Sequence, residues 1–398
     1  MSQSRRAPLD GIRVLDLSRV LAGPFCAQTL ADLGADVIKV ERPGSGDDTR
    51  AWGPPYVRDQ GGNDTSESAY FTSTNRNKRS IAVDLATAEG AAKVRKIASG
   101  CDVLIENFKV GGLKQYGLDY DSLKADMPGL IYCSITGFGQ TGPFAHRPGY
   151  DFMIQGMGGL MSITGERDDL PGGGPQKAGV AVTDVFTGLY GAVAILGALR
   201  ERDDSGLGQY IDLALLDCHV AMLSNQNLNY MTSGQAPTRA GNAHQNVVPY
   251  QVFKTSDSFM ILAVGNDSQF RAFCEVAGHS EWVTDARFAT NSTRIVNRQV
   301  LIPLIETIML TRTRDAWIAA LEAVGVPCGP IQTIDQVFDH PQVQARQLWR
   351  NIDHPVAGSA PTTASPMNFS ATPVQYTRHA PMLGEHTEEV LREFGIEP

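Results

Sequence analysis

Residues 12–41 decide the fold. They read Ile12-Arg13-Val14-Leu15-Asp16-Leu17, Ser18-Arg19-Val20-Leu21, Ala22-Gly23-Pro24-Phe25-Cys26-Ala27-Gln28-Thr29-Leu30-Ala31-Asp32-Leu33, Gly34-Ala35, and Asp36-Val37-Ile38-Lys39-Val40-Glu41. Ile12–Leu17 predicts a strand, Ala22–Leu33 a helix opened by Gly23-Pro24, and Asp36–Glu41 a second strand. Further out, Glu89–Ala98 predicts a helix, and Asp102–Phe108 and Leu130–Thr136 predict strands. Strands separated by helix-length crossovers imply α/β architecture, with a parallel sheet covered by helices. The apolar cores Val37-Ile38 and Val103-Leu104-Ile105 suit a sheet buried on both faces.

Two passages interrupt this alternation. Residues 44–78 are polar and rich in Gly, Asp, Ser and Asn, which predicts a long surface excursion. Residues 142–178 carry Pro143, Pro148, Pro171 and Pro175. An apolar helix follows from Val185 to about Leu199, then a charged turn at Asp203–Gly208. Composition changes near 230. Val252–Val264 reads as a hairpin about Thr255–Ser258, with helices at Gln269–Ala277, Arg298–Met309 and Thr313–Ala323. The expected division is a large domain over 1–205 and 335–398, and a small α+β domain over 225–330. Residues 206–224 and 331–334 are the linkers. The helix at Glu385–Phe394 is expected to pack back onto the large domain.

The 398 residues fit two or three domains, and 42% apolar content suffices for large cores. A net charge of −9 argues against nucleic acid or an anionic membrane surface as partner. Six cysteines (Cys26, Cys101, Cys133, Cys218, Cys274, Cys328) form no CxxC pair, so neither zinc spacing nor a disulfide framework is expected. The segment Met1–Pro8 is polar and basic without an apolar stretch after it, so no signal peptide is expected. No uninterrupted apolar run reaches transmembrane length, and the expected compartment is the cytoplasm.

Asp184 stands in Gly179-Val180-Ala181-Val182-Thr183-Asp184, just before the apolar helix. The positive end of a helix dipole favours a carboxylate there, which is expected to stay ionised and serve as a nucleophile. The plain alternative is an N-cap. Gly137-Phe138-Gly139-Gln140-Thr141-Gly142 matches GxGxxG after a strand. Pro143 follows at once and no strand ending in an acid comes next, which argues against a nicotinamide site. Asn75-Arg76-Asn77-Lys78-Arg79 is either a solvated turn or, with Arg42, a clamp on phosphates. A GxSxG elbow is absent, and none of the eight histidines is paired at metal-ligand spacing, so no metal is expected.

Together these segments resemble the class III CoA-transferase family, which includes formyl-CoA transferase, carnitine CoA-transferase and α-methylacyl-CoA racemase. The resemblance spans nearly the whole chain. It rests on Pro8–Asp16, Ala22-Gly23-Pro24, Leu33–Glu41, Asn77–Ile81, Glu106-Asn107-Phe108, Arg147–Asp151, Gly206–Gln209, Gly325–Pro330 and Leu383–Thr387. Two stretches, Gly179–Tyr190 and Val247–Thr255, are most similar to the succinyl-CoA:glutarate branch. The resemblance implies a Rossmann-like large domain, an interlocked homodimer, CoA as substrate carrier and no other cofactor. It places the nucleophilic aspartate on Asp184 and CoA contacts on Val20, Ala22, Arg42, Val83, Asn107, Phe108, Gly137 and Phe138. CoA would pass from a small acyl-CoA, such as a dicarboxylyl-CoA, to a free acid through an aspartyl intermediate.

Departures from the pattern narrow the substrate. Leu21 replaces a glutamine of formyl-CoA transferase, Ala240–Tyr250 replaces its glycine run, and Gln115 replaces a basic CoA contact. The first two argue against formate and oxalate. A dicarboxylate needs a cation for its far end, and Arg147 and Arg19 are the candidates. The alternative within the family is a racemase, which requires Gly-His-Asp where this chain has Gly149-Tyr150-Asp151. A phenol with a pKa of about 10 is a poor acid/base group there. Outside the family, the alternatives are a dinucleotide-dependent oxidoreductase and a non-catalytic acyl-CoA binder.

Overall fold

Six parallel strands form the sheet that carries the site. The structure, a computed structural model, describes residues 6–397. Residues 1–5 of the basic N-terminal segment therefore lie outside the described residues. Two units are distinguished by their internal contacts. One comprises Met1–Leu160, Ala178–Gly234 and Pro341–Pro398, the other Met161–Lys177 and Gln235–His340.

In the first unit the strands are β1 (Arg13–Asp16), β2 (Asp36–Glu41), β3 (Tyr56–Arg58), β4 (Asp64–Ser68), β5 (Lys78–Ala82), β6 (Val103–Glu106), β7 (Ile131–Thr136) and β8 (Tyr210–Ala214). β3 and β4 pair with each other as a small antiparallel ribbon. The others form one sheet in the order β5-β2-β1-β6-β7-β8, with every pairing parallel. Leaving out the ribbon, that is third-second-first-fourth-fifth-sixth, the Rossmann-like doubly wound order. β5 and β8 were not expected as strands. Both are edge strands, and both carry charge (Lys78 and Arg79, Asp212) that breaks an apolar run.

The helix Ala22–Asp32 opens with Pro24 in its first turn, where a missing N–H costs nothing. Across from it runs the long helix Val182–Ser205. Glycines let the two approach closely. A Cβ on Gly188 would lie 2.7 Å from the Ala22 carbonyl oxygen, and one on Gly191 3.0 Å from Cys26 Sγ. This contact ties the helix bearing Asp184 to the turn after β1. By length and composition, Val182–Ser205 is apolar enough to cross a membrane, although Asp184 and Arg200–Asp204 interrupt its apolar run. Its Gly188, Gly191, Ala192, Ile195 and Ala198 are buried in the first unit, while Phe186, Leu189, Tyr190 and Val193 are exposed.

Only the middle of residues 44–78 is a surface excursion: 51–66 are exposed or half-buried, whereas the flanks are largely buried. Asp47, Thr49, Arg50, Glu67, Asn75, Arg76, Asn77, Lys78 and Arg79 are buried. Burial of charge is tolerable only with partners. Lys78 Nζ reaches Asp16 at 2.9 Å, Lys39 reaches Asp47 at 3.0 Å, and Arg50 reaches Glu41 at 2.7 Å. Arg76 pairs with Asp32, and Arg79 with Asp36, Glu389 and Glu393. Neither reading of 75–79, a solvated turn or a phosphate clamp, holds, since the residues are buried and carboxylates occupy Arg76, Lys78 and Arg79.

The C-terminal helix Thr387–Glu393 packs on β5, as those Arg79 pairs require. A hairpin, β12 (Trp349–His354) and β13 (Gly358–Thr363), precedes it. In the second unit, β9 (Tyr250–Lys254) and β10 (Phe259–Ala263) form the expected hairpin, and β11 (Cys328–Pro330) pairs with β10. Helices Asp267–Ala277, Arg298–Met309 and Arg314–Glu322 pack Phe270, Phe273, Leu301, Ile305 and Trp317 around Phe253 and Leu262. Residues 161–177, expected within the large domain, cluster with this unit. Arg239 Nε donates to the Glu166 carbonyl, and Arg239 also pairs with Asp168.

Candidate active site

In an open α/β sheet, ligands settle at the carboxyl ends of the strands where the strand order reverses. That point lies between β1 and β6. The two strand ends are stitched together by Asn107. Its Oδ1 accepts from Arg19 N at 2.9 Å, and its Nδ2 donates to Arg19 O at 2.7 Å. Glu106 Oε2 accepts from Phe108 N at 2.7 Å and fixes the following turn. Burial pushes the Glu106 carboxyl up to about 7, against the hydrogen bonds from Ser134 and Phe108 N. Val20 has φ +74, a costly value for a β-branched residue. Its N–H is held there by the Asp47 carboxylate at 3.2 Å.

A cleft of about 640 Å³ opens at this point. Of the expected CoA contacts, Val20, Ala22, Arg42, Asn107, Phe108 and Gly137 line it, together with Asp184. Val83 lines an adjoining recess of about 130 Å³, which shares Arg42 and Phe108 with the cleft. Phe138 lines neither. It packs at the edge of the core against Phe144, with ring centroids 5.6 Å apart. Arg42 makes no ion pair among the described residues and is exposed, so its charge is available to an anion. Leu21, Gln115, Arg19 and Arg147 also line the cleft. Arg19 is paired with Asp48 at 3.0 Å, whereas Arg147 has no carboxylate partner among the described residues and lies over the Phe144 ring. Ala240–Tyr250 belongs to the second unit.

The GxGxxG run has a packing role. A Cβ on Gly137 would lie 2.5 Å from Gly149 Cα, so the chain after β7 and the loop before Asp151 meet backbone to backbone. Only two glycines fit there.

Asp184 lies in the first turn of Val182–Ser205 but is not its cap. The N-cap position is Ala181, which offers no side-chain bond. The cap comes from another helix, Asp151–Met157. Asp151 Oδ1 accepts from Thr183 N at 2.8 Å and more weakly from Asp184 N at 3.4 Å. Gln155 Nε2 donates to Asp151 Oδ2 at 2.6 Å, and Gln155 Oε1 accepts from Ala178 N at 2.8 Å. Asp151 thus takes up the N–H groups that were expected to hold Asp184 ionised. Burial, and then the Asp151 charge, raise the Asp184 carboxyl to about 7. The expectation of a fully ionised carboxylate is corrected accordingly. Burial, followed by Asp184, Asp151 and Asp47, pushes the nearby Tyr70 phenol up to about 12, so it stays neutral.

Asp151 appeared in the sequence only within Gly149-Tyr150-Asp151, and Tyr70 carried no signal. Their roles depend on folding, since 33 positions separate Asp151 from Asp184.

A doubly wound sheet with a carboxylate in the wall of its switch-point cleft describes an enzyme that binds a nucleotide-bearing ligand. Residues 9–387 match the model of CoA-transferase family III. The chain is 52% identical over 390 residues to a succinate–glutarate CoA-transferase of Agrobacterium fabrum, covering 98% of this chain and 96% of that protein. It is 42% identical over 386 residues to the succinyl-CoA:glutarate CoA-transferase of Homo sapiens, covering 97% and 86%. A solved CAIB/BAIF family protein from Brucella suis superposes with a TM-score of 0.85 at 50% identity, covering 98% of this chain and all of that one. The chain belongs to CoA-transferase family III and is an enzyme, with CoA as its substrate carrier.

Proposed function

We propose that the enzyme moves CoA from succinyl-CoA to glutarate or a closely related dicarboxylic acid, with Asp184 as nucleophile. The names of its relatives support the acid pair. The nucleophile rests on one observation: the Asp184 carboxylate stands in the wall of the cleft that also holds Val20, Ala22, Arg42, Asn107, Phe108 and Gly137. Arg42 would meet CoA phosphates, with Val83 extending that end of the site. Phe138 would support the loop of Arg147 from beneath. Arg147, lacking a carboxylate partner, is a better candidate than Arg19 for the far carboxylate of the acid.

The Asp184 carboxylate attacks the thioester carbon, the C–S bond breaks, and CoA leaves as thiolate from a succinyl–aspartyl anhydride. The thiolate attacks the Asp184 carbonyl carbon, releasing succinate and leaving an aspartyl-CoA thioester. The acceptor carboxylate attacks that thioester and forms a second anhydride. The thiolate then attacks the acceptor's acyl carbon and frees the Asp184 carboxylate. A carboxylate whose anion is disfavoured by burial gains by forming a neutral anhydride or thioester.

We also assign a homodimer. Phe186, Leu189, Tyr190 and Val193 on the long helix, and Leu228, Tyr230 and Met231 on Asn225–Ser233, are exposed apolar side chains that a second copy would cover. The cytoplasm is the assigned compartment, in keeping with six free thiols. No cofactor beyond CoA is assigned.

The test incubates the protein with succinyl-CoA and, separately, glutarate, itaconate, malate, citramalate, oxalate and formate, then separates the CoA esters. Glutaryl-CoA as the dominant product supports the reading. Transfer to oxalate or formate in preference would overturn the acid pair. Intact mass after succinyl-CoA alone reads the enzyme–CoA adduct, and peptide mapping reads its position. Light scattering reads the dimer.

A further inference from the structure

Asp184 and Asp151 come from different helices, and one buried side chain packs against both helices, at Thr183 and at Gly158. His219, on the helix Leu215–Met222, is wholly buried. Its Nδ1 lies 2.7 Å from Oγ1 of Thr183, which is also wholly buried and immediately precedes Asp184. On its other side the ring packs on Gly158, the residue that ends the Asp151 helix. A Cβ on Gly158 would lie 2.3 Å from His219 Cδ2, so only glycine admits the ring. Thr183 is thus pinned at two atoms, its N–H by Asp151 and its hydroxyl by His219.

His219 Nε2 is buried with no hydrogen-bond partner among the described residues. The Nδ1–Oγ1 contact is a hydrogen bond in either tautomer, with the ring N–H or the Thr183 hydroxyl as donor. Burial keeps the ring neutral by lowering its pKa, with the Asp151 charge opposing. That hydrogen bond sits on the residue immediately before Asp184.

We propose that His219 is a positioning residue: through Thr183 it locks the first turn of the long helix and aims the Asp184 carboxylate into the cleft. The proposal rests on Asp184 being the nucleophile. It assigns no contact between His219 and substrate.

The test compares His219→Phe, which keeps a ring without the bond, with His219→Asn, whose amide reproduces the Nδ1 position. In parallel, Thr183→Val is compared with Thr183→Ser. The holoenzyme is assayed for kcat, KM for succinyl-CoA, the pH profile of kcat, and single-turnover formation of the enzyme–CoA adduct. A misplaced reacting group costs rate more than binding. His219→Phe and Thr183→Val should therefore each lower kcat and adduct formation about tenfold, with KM changed by no more than about twofold. Thr183→Ser and His219→Asn should recover most of the loss. The Phe/Val double variant should be no worse than either single, because both remove one bond. Unchanged kcat and adduct rate in the Val and Phe variants would overturn the proposal. So would a loss that follows melting temperature and is not recovered by Ser or Asn. If His219→Phe fails to fold, the Thr183 pair decides alone. An adduct on a residue other than Asp184 in the unaltered enzyme would instead defeat the nucleophile assignment, and peptide mapping reads that separately.

Discussion

Two sets of carboxylates in the first unit meet opposite surroundings. Under the strand ends, Asp16, Glu41 and Asp47 are buried, each against a cation. For Asp47, burial raises the pKa, but Lys39 and the Thr49 N–H outweigh it and bring the carboxyl down to about 2. At the head of the long helix, Asp184 and Asp151 face each other, and neither has an ion-pair partner among the described residues. There burial and like charge act in the same direction, and Asp184 rises to about 7. All are carboxylates, and burial acts to raise the pKa of Asp47 and of Asp184 alike. The partner decides whether a carboxylate holds the fold or is poised for chemistry.

The largest expected effect removes the unpaired member. Asp184→Ala should reduce CoA transfer by about 10³-fold or more. CoA should still protect the variant against thermal unfolding, because Arg42, Asn107 and Phe108 are untouched. Transfer within tenfold of the unaltered enzyme would place the nucleophile elsewhere. The same variant probes stability. The folded pKa of Asp184 is raised, so its contribution to stability is present at low pH and lost as pH rises through about 7. Asp184→Ala should therefore compare most favourably with the unaltered protein above pH 7.

Next comes the opposite side of the comparison. Lys78→Met removes a cation whose Nζ meets Asp16, Asn75 Oδ1 and the Pro24 carbonyl, all within 2.9 Å. Breaking a buried pair leaves an uncompensated charge and costs about 3–5 kcal/mol. Lys39 still acts on Asp16, so the lower end is expected. Urea titration measures it. A midpoint unchanged within error would mean that the paired set contributes little.

Much of this contrast was out of reach of the sequence. β1, β2, β6 and β7 were legible because each carries adjacent apolar residues (Val14-Leu15, Val37-Ile38, Val103-Leu104-Ile105, Ile131-Tyr132-Cys133), and Asp184 was legible as an acid before an apolar helix. β5 was not, because Lys78 and Arg79 read as surface charges until Asp16 and Asp36 are folded against them. Lys78 and Asp16 are 62 positions apart. Local pattern carries no information on such a pairing, which is why 44–78 read as an excursion. Phe138 shows the converse. It follows a glycine that lines the cleft, yet its ring turns to Phe144.

A third kind of carboxylate sharpens the contrast. Glu106 is buried like Asp47 but is held only by neutral donors, and it rises to about 7. Its folded pKa lies above the ordinary 4.5, so its contribution is complete below that value. The contribution falls as pH rises and is lost above about 7. Glu106→Gln keeps an acceptor for Phe108 N and cannot ionise. At pH 8 it should be more stable than the unaltered protein by up to about 3 kcal/mol, and at pH 4.5 equal to it. Equal melting temperatures across that range would show that Glu106 is not desolvated in solution.

The smallest expected effect isolates like charge from burial. Asp151→Asn keeps an oxygen to accept from Thr183 N, so the cap survives, although its new amide faces Gln155 Nε2, which loses its acceptor. What disappears is the negative charge beside Asp184, the lesser of the two causes that raise it. Burial remains, so Asp184 should not return to its ordinary value. The acid limb of the kcat–pH profile should move down by about one unit and no further. Transfer at pH 6 should therefore rise relative to pH 8, while the rate at pH 8 changes little. A limb that stayed in place would assign the whole shift to burial. A limb that fell to the ordinary carboxylate range would make Asp151 the sole cause. Either result would redraw the line between the two sets, because it would show which property of the paired set, its cations or its hydrogen bonds, the carboxylate proposed as nucleophile lacks.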